Sequence, residues 1–90
     1  MYILNFTGRF KKDFKLCVKR NMNIALFEKV AMILENEGTL PSAYKPHPLR
    51  GIYTGIMECH ISPDWLLLYR VKTDENEIDL IRMGTHADLF

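Results

Sequence analysis

The chain has 90 residues, of which 48% are hydrophobic and 26% charged, and a formal net charge of +1. This length predicts a single domain spanning residues 1–90, and the ordinary composition excludes a disordered or repetitive chain. The longest apolar run, Trp65 to Tyr69, is too short to cross a bilayer, and the N-terminus lacks a signal-peptide pattern. We therefore expect a cytoplasmic protein with no membrane partner.

The first third of the chain predicts a strand followed by two helices. Alternating apolar residues indicate a strand over residues 2–6, and helical spacing indicates a helix over residues 8–20 with Thr7 as its N-cap. A second apolar stripe predicts a helix over residues 24–36 that ends at Gly38. The two segments are typical of a helical hairpin that covers one face of a sheet.

The rest of the chain predicts a long loop and an antiparallel meander. Residues 38–51 hold three of the four prolines and no periodicity, which indicates a loop, and loops of this length tend to be functional. Strand-like runs over residues 52–61, 65–72 and 77–83 are joined by short turns. The third strand is apolar on both faces and should lie centrally. This order of elements predicts an α+β fold with one curved sheet.

The first helix is strongly basic. Residues 1–22 contain six basic residues against the single acid Asp13, so the rest of the chain is acidic. A surface that meets a polyanion and a solvated lysine-rich helix face explain this asymmetry equally well. The residues concerned are Arg9, Lys11, Lys12, Lys15, Lys19 and Arg20.

Each of the three histidines lies beside a turn or loop signal. Pro46 and Pro48 stiffen the backbone around His47, and Lys45 and Arg50 lie nearby in the sequence, where they could bind phosphate. A single histidine in a loop is, however, more commonly a solvent-exposed residue without a functional role.

His60 and Asp64 flank a Ser-Pro-Asp turn, where a carboxylate can orient an imidazole or can simply bond local amides. Trp65 is expected to lie half in the core and half in support of this hairpin.

Strand parity places Arg82 and His86 on one face with only Gly84 between them, if the last strand extends that far. An arginine beside a histidine suits phosphodiester chemistry, and a frayed terminus is the plainer alternative. No histidine pair has the spacing of a ready-made metal site, and Cys17 and Cys59 are expected to be reduced and buried. The spacing thus favours a site without metal, while convergence of the three histidines and Asp64 on a zinc ion stays open as an alternative.

Three motifs, "KPHPLRG", "CHISPDWLLLYRV" and "RMGTHADLF", in this order and at this spacing resemble the YafQ branch of the RelE/ParE superfamily of bacterial type II toxins. The resemblance extends over nearly the whole chain and implies a RelE-like fold. It implies a ribosome-dependent mRNA endonuclease that needs no cofactor, is neutralised by a cognate antitoxin, and acts on mRNA at the ribosome. Cleavage of this kind leaves a 2′,3′-cyclic phosphate and a 5′-hydroxyl.

The resemblance also assigns roles by position. The residues matching the family's catalytic positions are His47, His60, Asp64 and His86. Arg82 and Phe90 match substrate-binding positions, and Trp65, which matches the family's tryptophan after the aspartate, is expected to contact the substrate as well. His86 is the expected general acid and His60 or His47 the base, with Lys45 and Arg82 on the phosphate. Lys11, Lys12, Lys15, Lys19 and Arg20 are expected to contact ribosomal RNA.

Two other functions are compatible with this sequence. A ParE-like toxin would bind and poison a topoisomerase without nuclease activity, and an inert RNA-binding protein would need no catalytic residues. A pure binding protein has no need of three histidines together, which favours the nuclease.

Overall fold

The computed structural model describes all 90 residues and has one five-stranded sheet with a helical hairpin on one face. The helices and strands are, in chain order, β1 (Ile3–Phe6), α1 (Gly8–Lys19), α2 (Ile24–Glu37), β2 (His47–Pro48), β3 (Met57–Ser62), β4 (Trp65–Lys72), β5 (Glu77–Gly84) and α3 (His86–Leu89).

The strands lie in the order β1-β5-β4-β3-β2. β3, β4 and β5 form the predicted antiparallel meander, and β1 returns to pair in parallel with the first half of β5. β4 is central and its residues from Trp65 to Tyr69 are all buried, as expected from a run that is apolar on both faces. The α+β prediction with one curved sheet is confirmed.

The helical hairpin begins and ends where the sequence signals lie. The Thr7 hydroxyl caps α1 by accepting from the Phe10 amide at 3.1 Å. Gly38 ends α2 in the left-handed conformation, at φ 72°, whereas Asn23 makes no side-chain bond to the helix it precedes.

The sheet has an apolar cluster on each face. The larger one lies beneath the helices and includes both cysteines, which are free and buried as expected. Burial raises the pKa of Cys59 to about 12, so its thiol is unreactive at neutral pH. The smaller cluster, built on Leu66, Leu68 and Leu89, lies on the opposite face of the sheet.

Three boundaries differ from the sequence predictions. The strand expected over residues 52–61 begins only at Met57, because Gly51 and Gly55 adopt positive φ angles of 67° and 93° that interrupt an extended chain. The predicted loop contains the short edge strand β2. The last strand ends at Gly84, so His86 opens α3 instead of continuing β5.

None of the helices is both long enough and apolar enough to span a membrane.

We expect Gly38→Ala to destabilise the fold by about 1–2 kcal/mol or more, because a Cβ at this positive φ would clash with the Tyr2 ring. The matched control is Gly8→Ala at the start of α1, where a Cβ meets nothing within 4 Å. Urea unfolding measured by circular dichroism should separate the two variants, and equal stabilities would contradict this account of the α2 terminus.

Candidate active site

The face of the sheet opposite the helical hairpin holds a row of polar side chains. Glu58 and His60 point to this face together because they are two residues apart on β3. Their cross-strand neighbours on β4 are Leu68 and Leu66, which belong to the smaller apolar cluster. The polar side chains therefore pack on these two leucines.

His47 is held at both ring nitrogens. β2 places His47 opposite Glu58, and its Nε2 lies 3.2 Å from Glu58 Oε1. Its Nδ1 lies 2.8 Å from the backbone carbonyl of Lys45, a residue in the left-handed conformation at φ 50°. Both nitrogens of the ring therefore face protein oxygens, and these two contacts fix the orientation of the imidazole.

Glu58 is a site residue that the sequence analysis missed. Its side chain is buried beneath the histidines, and Oε1 also lies 4.0 Å from His60 Nε2. Buried carboxylates require partners, and here the two imidazoles provide them. Side chains alternate between the two faces of a strand, so Glu58 lies on the same face as His60 and on the opposite face from Cys59. This alternation could have identified Glu58 from the sequence.

Asp64 contacts His86 and not His60, so the expected approach of His60 and Asp64 across the turn is wrong. His60 Nδ1 instead lies 3.3 Å from the Pro63 carbonyl. Asp64 Oδ1 lies 2.6 Å from His86 Nδ1 and accepts from the His86 backbone N–H at 3.1 Å. These two bonds lower the pKa of Asp64 below its ordinary value.

The bond to Asp64 fixes the tautomer of His86. A carboxylate only accepts, so the proton on this side of the ring belongs to Nδ1, and Nε2 points away with more than half of the side chain exposed. This arrangement orients the imidazole and leaves Nε2 free to meet a ligand.

The helix that bears His86 is anchored at its other side. Thr85 and Asp88 form a capping box, and Arg20 at the end of α1 donates two bonds to Asp88, at 2.7 and 3.2 Å. The Arg20 guanidinium and the Thr85 amide lower the pKa of Asp88 from 3.8 to about 2. This anchor therefore persists above pH 4 and is lost only as the pH falls towards 2.

Arg82 lies on the same face as Glu58, with Leu68 between them, but part of its guanidinium is bound by another side chain. Its Nε and Nη2 donate to Asp13 of α1 at 2.8 and 3.2 Å, and this pairing raises the pKa of the guanidinium. The Nη1 group is left outside that ion pair. The strand parity that was expected to align Arg82 with His86 does not apply, because β5 ends before His86.

The two aromatic residues expected at the site lie in different environments. Trp65 is only 2% exposed and belongs to the core beneath the helices, so it does not reach the open face and the expected substrate contact is not supported. Phe90 is 57% exposed and packs edge-to-face on Tyr53, with ring centroids 5.6 Å apart. Tyr53 is a second residue that the sequence analysis missed.

The three imidazoles are successive neighbours on the open face. Ring centroids of His47 and His60 are 6.5 Å apart, and those of His60 and His86 are 6.0 Å apart. No three His, Cys, Asp or Glu side chains converge as a metal-binding cluster. A cleft of about 270 Å³, lined by Tyr44, Lys45 and Pro63, opens beside His60.

The lysines of α1 are exposed, and only Arg20 reaches the helix that bears His86. Lys11, Lys12, Lys15 and Lys19 are exposed, whereas Arg20 is occupied by Asp88 and is the one member of the expected cationic set with a bidentate partner. Arg50 is exposed near the smaller cluster and makes no side-chain bond.

Fold and site together define a bacterial toxin of a type II toxin-antitoxin system. The family model of that description, YafQ, matches residues 2–90. The chain belongs to the YafQ toxin family, which confirms the resemblance drawn from the three motifs.

Three relatives document this membership. The mRNA interferase toxin YafQ of Escherichia coli (strain K12) is 36% identical over 88 residues, which cover 97% of this chain and 94% of the relative. The E. coli DinJ-YafQ complex contains a chain 34% identical with a TM-score of 0.90, covering 100% of this chain and 99% of that one. A metal-bound toxin from Helicobacter pylori is 40% identical with a TM-score of 0.90 and covers both chains completely.

We expect the Asp64 carboxyl to titrate below its ordinary value of 3.8, because His86 donates to it twice. In His86→Ala the titration midpoint should rise, since the side-chain bond is removed. His60→Ala is the matched control, because His60 does not contact Asp64. Carboxyl NMR titration measures both variants, and a midpoint that moves with His60 instead of His86 would contradict the assigned pairing.

Proposed function

We propose that this chain, as a YafQ-family toxin and endoribonuclease, cleaves mRNA on the ribosome by metal-independent acid–base chemistry. The observation that carries the proposal is the proximity of His60 to the Asp64-oriented ring of His86, at a centroid separation of 6.0 Å. Two imidazoles at this separation can bind opposite sides of one phosphodiester.

The reaction begins when a base takes the proton of a 2′-hydroxyl. The 2′-oxygen then attacks the adjacent phosphorus, and a phosphorane-like transition state forms. We assign His60 as the base, because its Nε2 has only the distant Glu58 contact at 4.0 Å. His47 is the less suitable base, since both of its ring nitrogens already face protein oxygens at 2.8 and 3.2 Å.

The reaction ends when the bond from phosphorus to the 5′-oxygen breaks and His86 gives the leaving oxygen a proton. The products are a 2′,3′-cyclic phosphate and a 5′-hydroxyl. Asp64 supports this role because its bond to Nδ1 orients the ring with Nε2 towards the open face. Nε2 is then the donating atom.

Three cations surround the phosphate in this scheme. The His47 imidazolium, the free Nη1 of Arg82 and the Lys45 ammonium would stabilise charge on the non-bridging oxygens. Glu58 holds His47 in place, and Asp13 holds Arg82. Phe90, exposed beside Tyr53, offers an aromatic surface for a base. Trp65 has no part in this scheme because it is buried.

The remaining parts of the proposal concern the partners of the toxin. A cognate antitoxin is supported by the related complex of YafQ with DinJ. Ribosome binding is supported by the exposed lysines of α1, which lie outside the histidine face and have no acidic partner. An mRNA interferase works where mRNA is translated, so we place the protein in the cytoplasm.

The ParE-like alternative is not favoured. The curated relatives at 36% identity are named mRNA interferases. A topoisomerase-binding surface would also leave the alignment of three imidazoles and two carboxylates unexplained.

His86→Ala should bind ribosomes but cleave mRNA about 10²–10⁴-fold more slowly, because the leaving 5′-oxygen lacks a proton donor. A 5′-bridging phosphorothiolate at the cleavage site should restore much of the rate, since a thiolate leaves without a proton. Single-turnover cleavage on programmed ribosomes measures both substrates.

His60→Ala is the matched control for that experiment, because removal of a base slows both substrates alike. A transition-metal chelator, with Mg²⁺ kept to preserve the ribosome, should leave wild-type cleavage unchanged. An equal deficit of His86→Ala on both substrates would remove it as the acid, and inactivation by the chelator would overturn the metal-independent scheme.

Replacing Lys12 and Lys19 by Gln should weaken ribosome binding and flatten its salt dependence, by about 0.7–0.9 in log–log slope for each RNA phosphate that the variant no longer neutralises. Lys29→Gln on α2 is the matched control, because it removes one exposed lysine from the other helix. Binding of labelled toxin to ribosomes at several salt concentrations measures the slope. An unchanged slope in the double variant would mean that α1 does not meet RNA.

A further inference from the structure

The loop between β2 and β3 folds over the open face of the sheet. The Leu49 amide closes it by donating to the Ile56 carbonyl at 2.8 Å, and both side chains pack on the smaller apolar cluster. Gly51 and Gly55, in the left-handed region, allow the chain to turn sharply between these two anchors. The loop therefore forms one side of the candidate active site and is not a detached connection.

Hydrogen bonds within the loop hold it in one shape. The amide and the hydroxyl of Thr54 both donate to the Gly51 carbonyl, at 3.1 and 2.7 Å. The Ile56 amide donates to the Tyr53 carbonyl at 3.0 Å. Because the backbone around Tyr53 is already ordered, a ligand that binds its ring has little loop entropy to overcome.

Tyr53 lies beside two residues that the proposed reaction uses. Its ring packs edge-to-face on Phe90, with centroids 5.6 Å apart. The pKa of Arg82 is raised mainly by Asp13 and to a smaller extent by the phenolic oxygen of Tyr53, which therefore lies within electrostatic reach of the guanidinium. Tyr53 is half-buried and Phe90 is 57% exposed, so the pair leaves aromatic surface open beside the phosphate-binding group.

The position of the pair on α3 indicates which nucleotide it meets. The Phe90 amide donates to the His86 carbonyl at 2.9 Å, so the two residues are one helical turn apart, a rise of about 5.4 Å. His86 protonates the leaving 5′-oxygen in the proposed reaction, and the nucleoside that carries this oxygen therefore lies next to Phe90 and Tyr53. The nucleoside that carries the 2′-hydroxyl lies at His60, on the side of the 270 Å³ cleft.

We infer that Tyr53 is a substrate-binding residue that, together with Phe90, forms the stacking site for the nucleobase on the 3′ side of the cleaved bond. The inference rests on the proposed function for the direction in which the mRNA crosses the face. Stacking accepts every base, so this site positions the leaving nucleoside and does not read its identity.

The test uses three variants of the loop. Tyr53→Leu keeps an apolar side chain against Phe90 but removes the aromatic face. Tyr53→Phe is the conservative control, because it keeps the ring and removes only the hydroxyl. Ile52→Ala is the matched control for the shape of the loop, since Ile52 is the preceding residue and is 92% exposed.

Single-turnover cleavage on programmed ribosomes compares the variants on three mRNAs. One is unmodified, and the other two carry an abasic ribonucleotide on the 3′ or on the 5′ side of the cleavage site. On unmodified mRNA, Tyr53→Leu should be about tenfold slower than the wild type, because the leaving nucleoside loses a stacking partner. Tyr53→Phe and Ile52→Ala should cleave like the wild type.

The abasic substrates separate a contact with the base from a structural role. With the abasic residue on the 3′ side, the ratio of the wild-type rate to the Tyr53→Leu rate should fall to about one. With the abasic residue on the 5′ side, the tenfold ratio should persist. A residue that only supports the loop would give the same ratio on all three mRNAs.

A second measurement does not depend on cleavage. The mRNA carries a 2′-deoxynucleotide at the cleavage site, which removes the attacking hydroxyl, and 2-aminopurine as the next base on the 3′ side. Stacking quenches the fluorescence of 2-aminopurine. Wild-type toxin and Tyr53→Phe should therefore quench it on the ribosome more strongly than Tyr53→Leu.

The possible failures are distinguishable. An unchanged ratio on the 3′-abasic mRNA, loss of the ratio on the 5′-abasic mRNA instead, or equal quenching by the wild type and Tyr53→Leu would overturn the stacking site. Cleavage by Ile52→Ala as slow as that by Tyr53→Leu would assign the loss to the shape of the loop and overturn it too. Quenching without any cleavage by the wild type would overturn the proposed reaction and leave the stacking site intact.

Discussion

The carboxylate of Asp13 occupies a position where the sheet lacks a strand. β1 pairs only with the first half of β5, so residues 81–84 have no neighbouring strand on that side. Asp13 accepts there from the Met83 amide at 3.0 Å and from Arg82 at 2.8 Å, and thereby ties α1 to the sheet. An acid with a buried backbone partner and a cationic partner avoids the cost of an unpaired buried charge.

The placement of His86 follows from that bond. Because Asp13 brings the end of α1 close to the end of β5, Arg20 reaches Asp88 and α3 is held against the sheet. The short helix has too few residues to be stable alone, so its capping box, the Arg20 ion pair and the Asp64 bond together determine where the imidazole lies. A residue close to the C-terminus is thus as well positioned as one in a strand.

The sequence was informative where patterns are local and less so where distant residues pair. The doubly apolar run of β4 and the Thr7 cap were predictable from a few neighbouring residues. Glu58 could have been predicted from the same alternation of side chains that placed His60 on this face. To predict the Asp64–His86 bond, one would have to know that β5 ends before His86. To predict the role of Asp13, one would have to know that β1 is shorter than β5. Those lengths are decided by pairing between the two ends of the chain, which no window of sequence contains.

The histidines and the lysines of α1 lie on different sides of the sheet. The histidine row packs on the smaller apolar cluster, whereas α1 covers the larger one. Two ion pairs connect the sides, Asp13 with Arg82 and Arg20 with Asp88. Substitution of an exposed lysine of α1 therefore leaves the geometry of the histidines intact, whereas loss of Asp13 or Arg20 disturbs both sides at once.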